Sequence, residues 1–175
     1  INFDKHFLIE ASIFSNKDCN MHKLIALNDF AINQKKYSRL LKMDVLIDDE
    51  LLNRYNCDGL VIATPLGSTA YSLSAGGPIV YPSMEIIIIT PICPHTLSMR
   101  PLIIPSQKII DVSFSEEIDK KLSLTVDGQI QEIISSQSKI AIKKSNYSAY
   151  LVKFKDHNYF KTLRKKMSWR GNLRI

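Results

Sequence analysis

The apolar positions of the chain repeat mostly every second residue. Leu41, Met43, Val45 and Ile47 alternate with Lys42, Asp44 and Leu46, the pattern of a half-buried strand. Further strands are expected at Leu24–Ile32, Leu60–Ala63, Ile86–Thr90, Ile109–Phe114, Leu122–Val126, Ile133–Ile134, Lys139–Ile142 and Tyr147–Phe154. The stretch VDGQI, Val126 to Ile130, predicts a tight hairpin, because Asp-Gly accepts the positive φ of a primed turn. Many short strands divided by turn signals point to a mainly β protein, a β-sandwich or a related two-sheet fold. No internal repeat or low-complexity linker interrupts the pattern.

One short helix is expected at residues 68–76, inside GSTAYSLSAGGP. Ser68 or Thr69 could cap its start with a side-chain oxygen. Gly76, Gly77 and Pro78 would end it. Its small and hydroxyl residues are poor choices for a helix needed only for packing. Two uses stay open. Small residues let two backbones approach closely, and the free N–H groups at a helix start could receive a ligand at the strand end.

Composition narrows the class. The 175 residues suit one domain, read as 1–175 and possibly cut from a larger protein, since the chain begins with Ile. Hydrophobic residues at 45% and charged residues at 23% are ordinary for a soluble protein. No apolar run reaches membrane-spanning length, and no signal peptide is visible, so a cytoplasmic protein is expected. The net charge of +6 lies largely in the tail FKTLRKKMSWRGNLRI, read as solvated. Neither a recognition helix nor a stacking platform accompanies it, so nucleic acid is not an expected partner.

Cys19, Cys57 and Cys93 are widely spaced and form no CxxC pair, so no metal site is expected and the thiols are read as reduced. Cys93 and His95 invite a nucleophile reading, but their spacing would place both on one face of a strand with nothing to form an oxyanion hole. His6, His22 and His157 show no ligand spacing.

The ordered motifs are more specific. DGLVIATPLGSTAYSLSAGGPIV (Asp58–Val80) closely resembles the signature of the NAD kinase family, with Leu66 where a small or hydroxyl residue is usual. ALNDFAI (Ala26–Ile32) resembles its ALNE segment, with Asp29 for Glu. TPICPHTLSMRPLIIP (Thr90–Pro105), VDGQ (Val126–Gln129) and FKTLRKKMSW (Phe160–Trp169) follow in the family's order. Five ordered motifs are far more specific than a lone glycine motif.

The resemblance implies a phosphotransferase that moves a phosphoryl group from ATP, or in some members polyphosphate, to the 2′-hydroxyl of the adenosine ribose of NAD, giving NADP. It implies a divalent metal such as Mg²⁺, and assembly as a homodimer or homotetramer. It also implies an N-terminal α/β domain with a GGDGT motif whose Asp is the general base. No GGDGT occurs in residues 1–175. The chain is therefore expected to be the β-rich C-terminal half of the NAD kinase/diacylglycerol kinase-like fold, with no catalytic residue of its own and little or no turnover alone.

The site residues follow from the same resemblance. Asn28 and Asp29 match the pair on which the family places NAD. An amide can donate and accept at once, and an acidic side chain suits ribose hydroxyls; read without the resemblance, a turn or strand end is the other use of the pair. Asp58 matches the Asp expected at the nicotinamide end, reached across a subunit contact. Thr69, Ala70, Tyr71, Ser72, Leu73 and Ser74 match the adenosine-binding segment, Leu73 doubling as a core anchor. Gln129 of the DGQ turn offers an amide to a phosphate or ribose oxygen, and Arg39 and Asn56 stand where nucleotide contacts are frequent. His95 is expected in the wall around the nicotinamide. Two other functions share parts of this pattern. One is a lipid kinase of the diacylglycerol or sphingosine type, which would need an open apolar groove where GSTAYSLSAGG stands. The other is a non-catalytic NAD-binding module.

Overall fold

A computed structural model describes residues 2–14, 22–34, 40–96, 98–115, 121–155 and 158–169. The chain divides into two compact units, His6–Ala149 and a terminal unit of Ile1–Lys5 with Tyr150–Ile175. The strands, in chain order, are β1 (Asn2–Phe14), β2 (His22–Ala26), β3 (Asp29–Gln34), β4 (Leu41–Ile47), β5 (Glu50–Cys57), β6 (Gly59–Ala63), β7 (Ile86–Ile92), β8 (Leu102–Pro105), β9 (Ile110–Phe114), β10 (Lys121–Val126), β11 (Ile130–Ser135) and β12 (Lys139–Lys153). A 3₁₀ turn at Leu66–Thr69 and a one-turn helix α1 (Tyr71–Ser74) lie between β6 and β7, and helix α2 (Tyr159–Lys166) follows β12.

Two six-stranded sheets result, ordered β2-β1-β12-β9-β4-β5 and β11-β10-β3-β6-β7-β8. Within the larger unit, one apolar cluster draws on both. Ile9, Met43, Val45, Ile110, Val112 and Ile140 come from the first sheet, and Phe30, Ile32, Leu60, Ile62, Ile89 and Leu124 from the second. This is the two-sheet architecture that the period-two pattern predicts. On β4 the alternation is literal: Leu41, Met43 and Val45 are buried while Lys42 between them is exposed.

The second sheet is covered on its other face too. Ala31, Val61, Ala63, Val80 and Ile88 form a smaller cluster, with Ala75, Ile86 and Ile92 packed against it. All five residues of β6 are consequently buried. A strand covered on both faces reads as a continuous apolar run rather than an alternating one, which is how GLVIA is written.

Several expectations change. The run Leu24–Ile32 is two strands, divided at Leu27–Asn28. Tyr147–Phe154 belongs largely to the single strand β12, which begins at Lys139. The expected helix at 68–76 is a 3₁₀ turn followed by one α-turn of four residues. Neither Ser68 nor Thr69 is its N-cap; Ala70 holds that position. The basic tail is in part the helix α2: Asn158 caps it by accepting from the Lys161 N–H at 2.9 Å, and Arg164, Lys165 and Lys166 sit in its last turn, where cations complement the helix dipole.

Within the terminal unit, Lys153 pairs with Asp4 at 3.1 Å, Leu163 is the buried residue of α2, and the rings of Tyr159 and Phe160 meet edge to face at 5.4 Å. No helix among the described residues is long and apolar enough to cross a membrane.

Candidate functional site

The site builds from the turn between β2 and β3. Three successive backbone N–H groups there donate to one carboxylate. Leu27 N–H donates to Asp127 at 2.9 Å, Asn28 N–H at 2.6 Å and Asp29 N–H at 3.0 Å. Asp127 is the first central residue of the β10–β11 hairpin. It and Gly128 both adopt positive φ, 50° and 69°, and the Gln129 N–H closes the turn on the Val126 carbonyl at 3.0 Å. This is the predicted primed turn. The Asp127 N–H returns a bond to the Asp29 carbonyl at 3.0 Å.

Thr64, just past β6, secures the other side of the same turn. Its hydroxyl donates to the Leu27 carbonyl at 2.7 Å, its N–H donates to the Asn28 carbonyl at 2.8 Å, and its Oγ1 accepts from the Gly67 N–H at 3.2 Å. Gly67 lies so close that a Cβ there would collide with the Asn28 carbonyl. Asp127 and Thr64 were not among the sequence candidates. Both stand inside quoted motifs, VDGQ and ATPLGST, but their partners are distant in sequence.

From Thr64 the chain crosses the outer face of the second sheet. The fully buried Ser68 hydroxyl accepts from the Val80 N–H at 3.1 Å. The equally buried Ser72 hydroxyl bonds Thr90 Oγ1 on β7 at 3.1 Å, and the Gly77 N–H donates to the Ser72 carbonyl at 2.8 Å. A Cβ on Gly77 would meet both hydroxyls. The small residues of this segment thus do pack closely against the sheet, while Tyr71 and Ser74 face outward. Leu73, expected as a core anchor, is half-buried and lies outside both apolar clusters.

The helix start is not the open polar receptor that the sequence suggested. The Tyr71 N–H donates to the Asp29 carboxyl. Asp29, 42 positions earlier, thereby supplies the side-chain acceptor that Ser68 and Thr69 do not. Only 3% of Asp29 is exposed. Burial, and secondarily the negative charge of Asp127, push its pKa up to about 6, with the Tyr71 N–H pulling the other way. Asp29 therefore changes charge near neutrality, with a half-buried Asn28 beside it.

Asn28, Asp29 and Tyr71 are brought together; Gln129 is exposed just beyond the Asp127 turn. Asn56, Asp58 and His95 form a separate group. The His95 N–H donates to the Asn56 carbonyl at 3.0 Å, and the Asp58 N–H to the Ile92 carbonyl at 2.9 Å. All three side chains are exposed. Asp58 precedes β6, whereas Asp29 pairs with Ala63 at its other end, so the two groups stand roughly 16 Å apart at the rise of an extended strand.

Cys93 and His95 do not share a strand face: β7 ends at Ile92 and Cys93 turns with φ 45°. Cys57 is buried, donates to the Gly59 carbonyl at 3.0 Å, and has its thiol pushed up to about 11, mainly by burial. His6 is buried on β1. Arg39, Cys19 and His157 lie outside the described residues, as does the side chain of His22. Among the described residues, no three His, Cys, Asp or Glu side chains gather as a metal site.

Comparison with known proteins gives this geometry a context. The chain is 43% identical over 167 residues to the NAD kinase of Caldanaerobacter subterraneus subsp. tengcongensis, covering 95% of this chain and 58% of that protein. It is 43% identical over 150 residues to the NAD kinase of Clostridium beijerinckii, covering 86% and 52%. The chain spans little more than half the length of these relatives. Its fold matches yeast NADH kinase complexed with NADH at a TM-score of 0.89 and 29% identity, over 99% of this chain and 52% of that one. It matches an NAD kinase from Archaeoglobus fulgidus in complex with ATP at 0.74 and 27% identity, over 96% and 62%. The family model for the ATP-NAD kinase C-terminal domain matches residues 27–154, which begin at the turn held by Asp127 and Thr64, and the chain belongs to that family.

Proposed function

We propose that this chain holds NAD for phosphorylation of its adenosine-ribose 2′-hydroxyl, as the C-terminal half of an NAD kinase working in the cytoplasm. The observation that carries the reading is that the Asn28–Asp29 turn, fixed by Asp127, meets the start of α1 at the Tyr71 N–H. Asn28 offers an amide that donates and accepts. Asp29 accepts from ribose hydroxyls in its ionised form. Thr69, Ala70, Tyr71 and Ser74 offer the adenosine a ring face and a polar edge. Ser72, buried against Thr90, supports the segment from below, and half-buried Leu73 lies within it.

In the reaction, the ribose 2′-oxygen attacks the terminal phosphorus of ATP, the bond to the bridging oxygen breaks, and the 2′-hydroxyl proton passes to a general base. Positioning and charge neutralisation carry most of such a transfer. We assign the base to the GGDGT segment of a second domain. Residues 1–175 lack that motif. Among the described residues no group of His, Cys, Asp or Glu builds a Mg²⁺ site.

Asn56, Asp58 and His95 are exposed at the far end of β6 from Asp29. This supports a homo-oligomer in which they face the nicotinamide end of NAD bound to another copy, with Gln129 at its phosphates.

Calorimetric titration of the protein with NAD, and separately with diacylglycerol vesicles, tests the reading. Binding of NAD alone is expected, weakened in Asp29→Asn. Lipid binding without NAD binding overturns it. In the same reading, residues 1–175 with ATP and Mg²⁺ form no NADP until the GGDGT-bearing domain is supplied.

A further inference from the structure

Leu27 and Asn28 lie between β2 and β3, with Asp29 opening β3, and Thr64 holds the carbonyls of this turn. The turn's three consecutive N–H groups are aligned by one side chain from a hairpin about a hundred residues away, Asp127, at 2.6–3.0 Å. Asp127 can aim its carboxylate there because it sits in the left-handed region, φ 50°, at a hairpin centre. Asp tolerates this conformation far better than most residues. Bonds from N–H groups to a carboxylate are shorter and stronger than neutral ones.

We propose that Asp127 is a positioning residue for nucleotide binding: its carboxylate fixes the backbone from which Asn28 and Asp29 present their side chains. This rests on the reading of that pair as the NAD contacts. Asp127 also acts by charge. Among the described residues it is the one charged side chain acting on Asp29, opposed only by the Tyr71 N–H. It therefore helps fix where Asp29 lies and, after burial, adds to the rise in the pH at which Asp29 ionises.

The test uses Asp127→Asn and Asp127→Ala. Asn keeps one oxygen for Asn28 and Asp29 but turns an NH₂ toward the Leu27 N–H, and it removes the charge. The first readout needs no nucleotide. Amide shifts and hydrogen exchange of Leu27, Asn28 and Asp29 are followed by NMR. In Asp127→Ala, the Asn28 amide should move strongly upfield and the three amides should exchange at least tenfold faster, while β10 stays protected. Asp127→Asn should change Leu27 most.

The second readout is NAD affinity against pH. Asp127→Ala should weaken NAD about tenfold or more, Asp127→Asn should recover part of the loss, and the midpoint of the pH dependence should fall in Asp127→Asn because the repelling charge is gone. Unchanged amides in Asp127→Ala overturn the proposal whether or not NAD binds. If the variant does not fold, an unchanged Leu27 amide in Asp127→Asn, or an unmoved pH midpoint, overturns it equally. Absence of NAD binding in the parent, with the amides responding as described, strikes the functional reading and leaves the positioning role standing.

Discussion

Replacing Asp29 by Asn should make the nucleotide-free protein more stable at pH 8 while weakening NAD binding. The reasoning follows the proton. Unfolded, Asp29 ionises near its ordinary 3.8; folded, it holds the proton up to about 6. Below 3.8 both states are protonated and the group is neutral in the balance. Between these values the unfolded chain gives up its proton first, so stability falls as pH rises, and above about 6 the loss is complete. At 1.36 kcal/mol per tenfold change in acidity, it amounts to roughly 3 kcal/mol. Asn keeps the shape and an oxygen for the Tyr71 N–H but carries no charge to bury. For a chain of this size, 1 kcal/mol corresponds to about 2–4 °C in Tm. Asp29→Asn should therefore exceed the parent by about 6–12 °C at pH 8 and match it near pH 4, in thermal unfolding without nucleotide. Calorimetry should show NAD weakened by about 10–100-fold, the range for losing a hydrogen bond to a charged acceptor. Parallel Tm curves from pH 4 to 8 would refute the burial argument, whatever the binding result.

Two further substitutions probe the same site. Gly67→Ala puts a methyl group against the Asn28 carbonyl and should cost about 1–3 kcal/mol, as overpacking does, with NAD affinity falling in parallel; urea denaturation and calorimetry read the two effects. Ser72→Ala leaves the buried Thr90 hydroxyl without its partner and should cost about 1–3 kcal/mol, whereas adding Thr90→Val should return most of it, since apolar replacement of both partners is nearly neutral. A double-mutant cycle in urea that shows simple additivity rules out the bond as the cause.

Which parts of this fold can be read from the chain depends on how local their causes are. The β4 alternation and the Val126–Ile130 hairpin are written in adjacent residues, and both are present. Strand β5 is not: ELLNRYNC buries only Tyr55 and Cys57, and it follows a turn in which Asp48 and Asp49 take positive φ, 49° and 67°, with no glycine to announce it. Strand β1 carries an alternation at Phe7, Ile9, Ala11 and Ile13, but His6, Glu10 and Ser12 on its other face are buried too, and the polar residues conceal a strand enclosed on both sides. The break at Leu27–Asn28 follows from Asp127, which no window of neighbouring residues contains. The candidate residues came from motif resemblance. Their arrangement did not, because Asp29 caps α1 across 42 positions and Asp127 reaches back about a hundred.

The bonds from Asp127 to the 27–29 turn also set an order of events. Contacts between residues 98 to 100 positions apart form only after a large loop has closed. Here that closure is the pairing of β10 with β3, which aligns Val126 with Phe30. A growing chain that has exposed Ala26 to Ile32 has made Asn28 and Asp29, the proposed nucleotide contacts, but not the surface they form. That surface exists only once residue 127 has emerged and β10 has zipped along β3, so under the proposed function competence to take up nucleotide would report that the sheet has been completed.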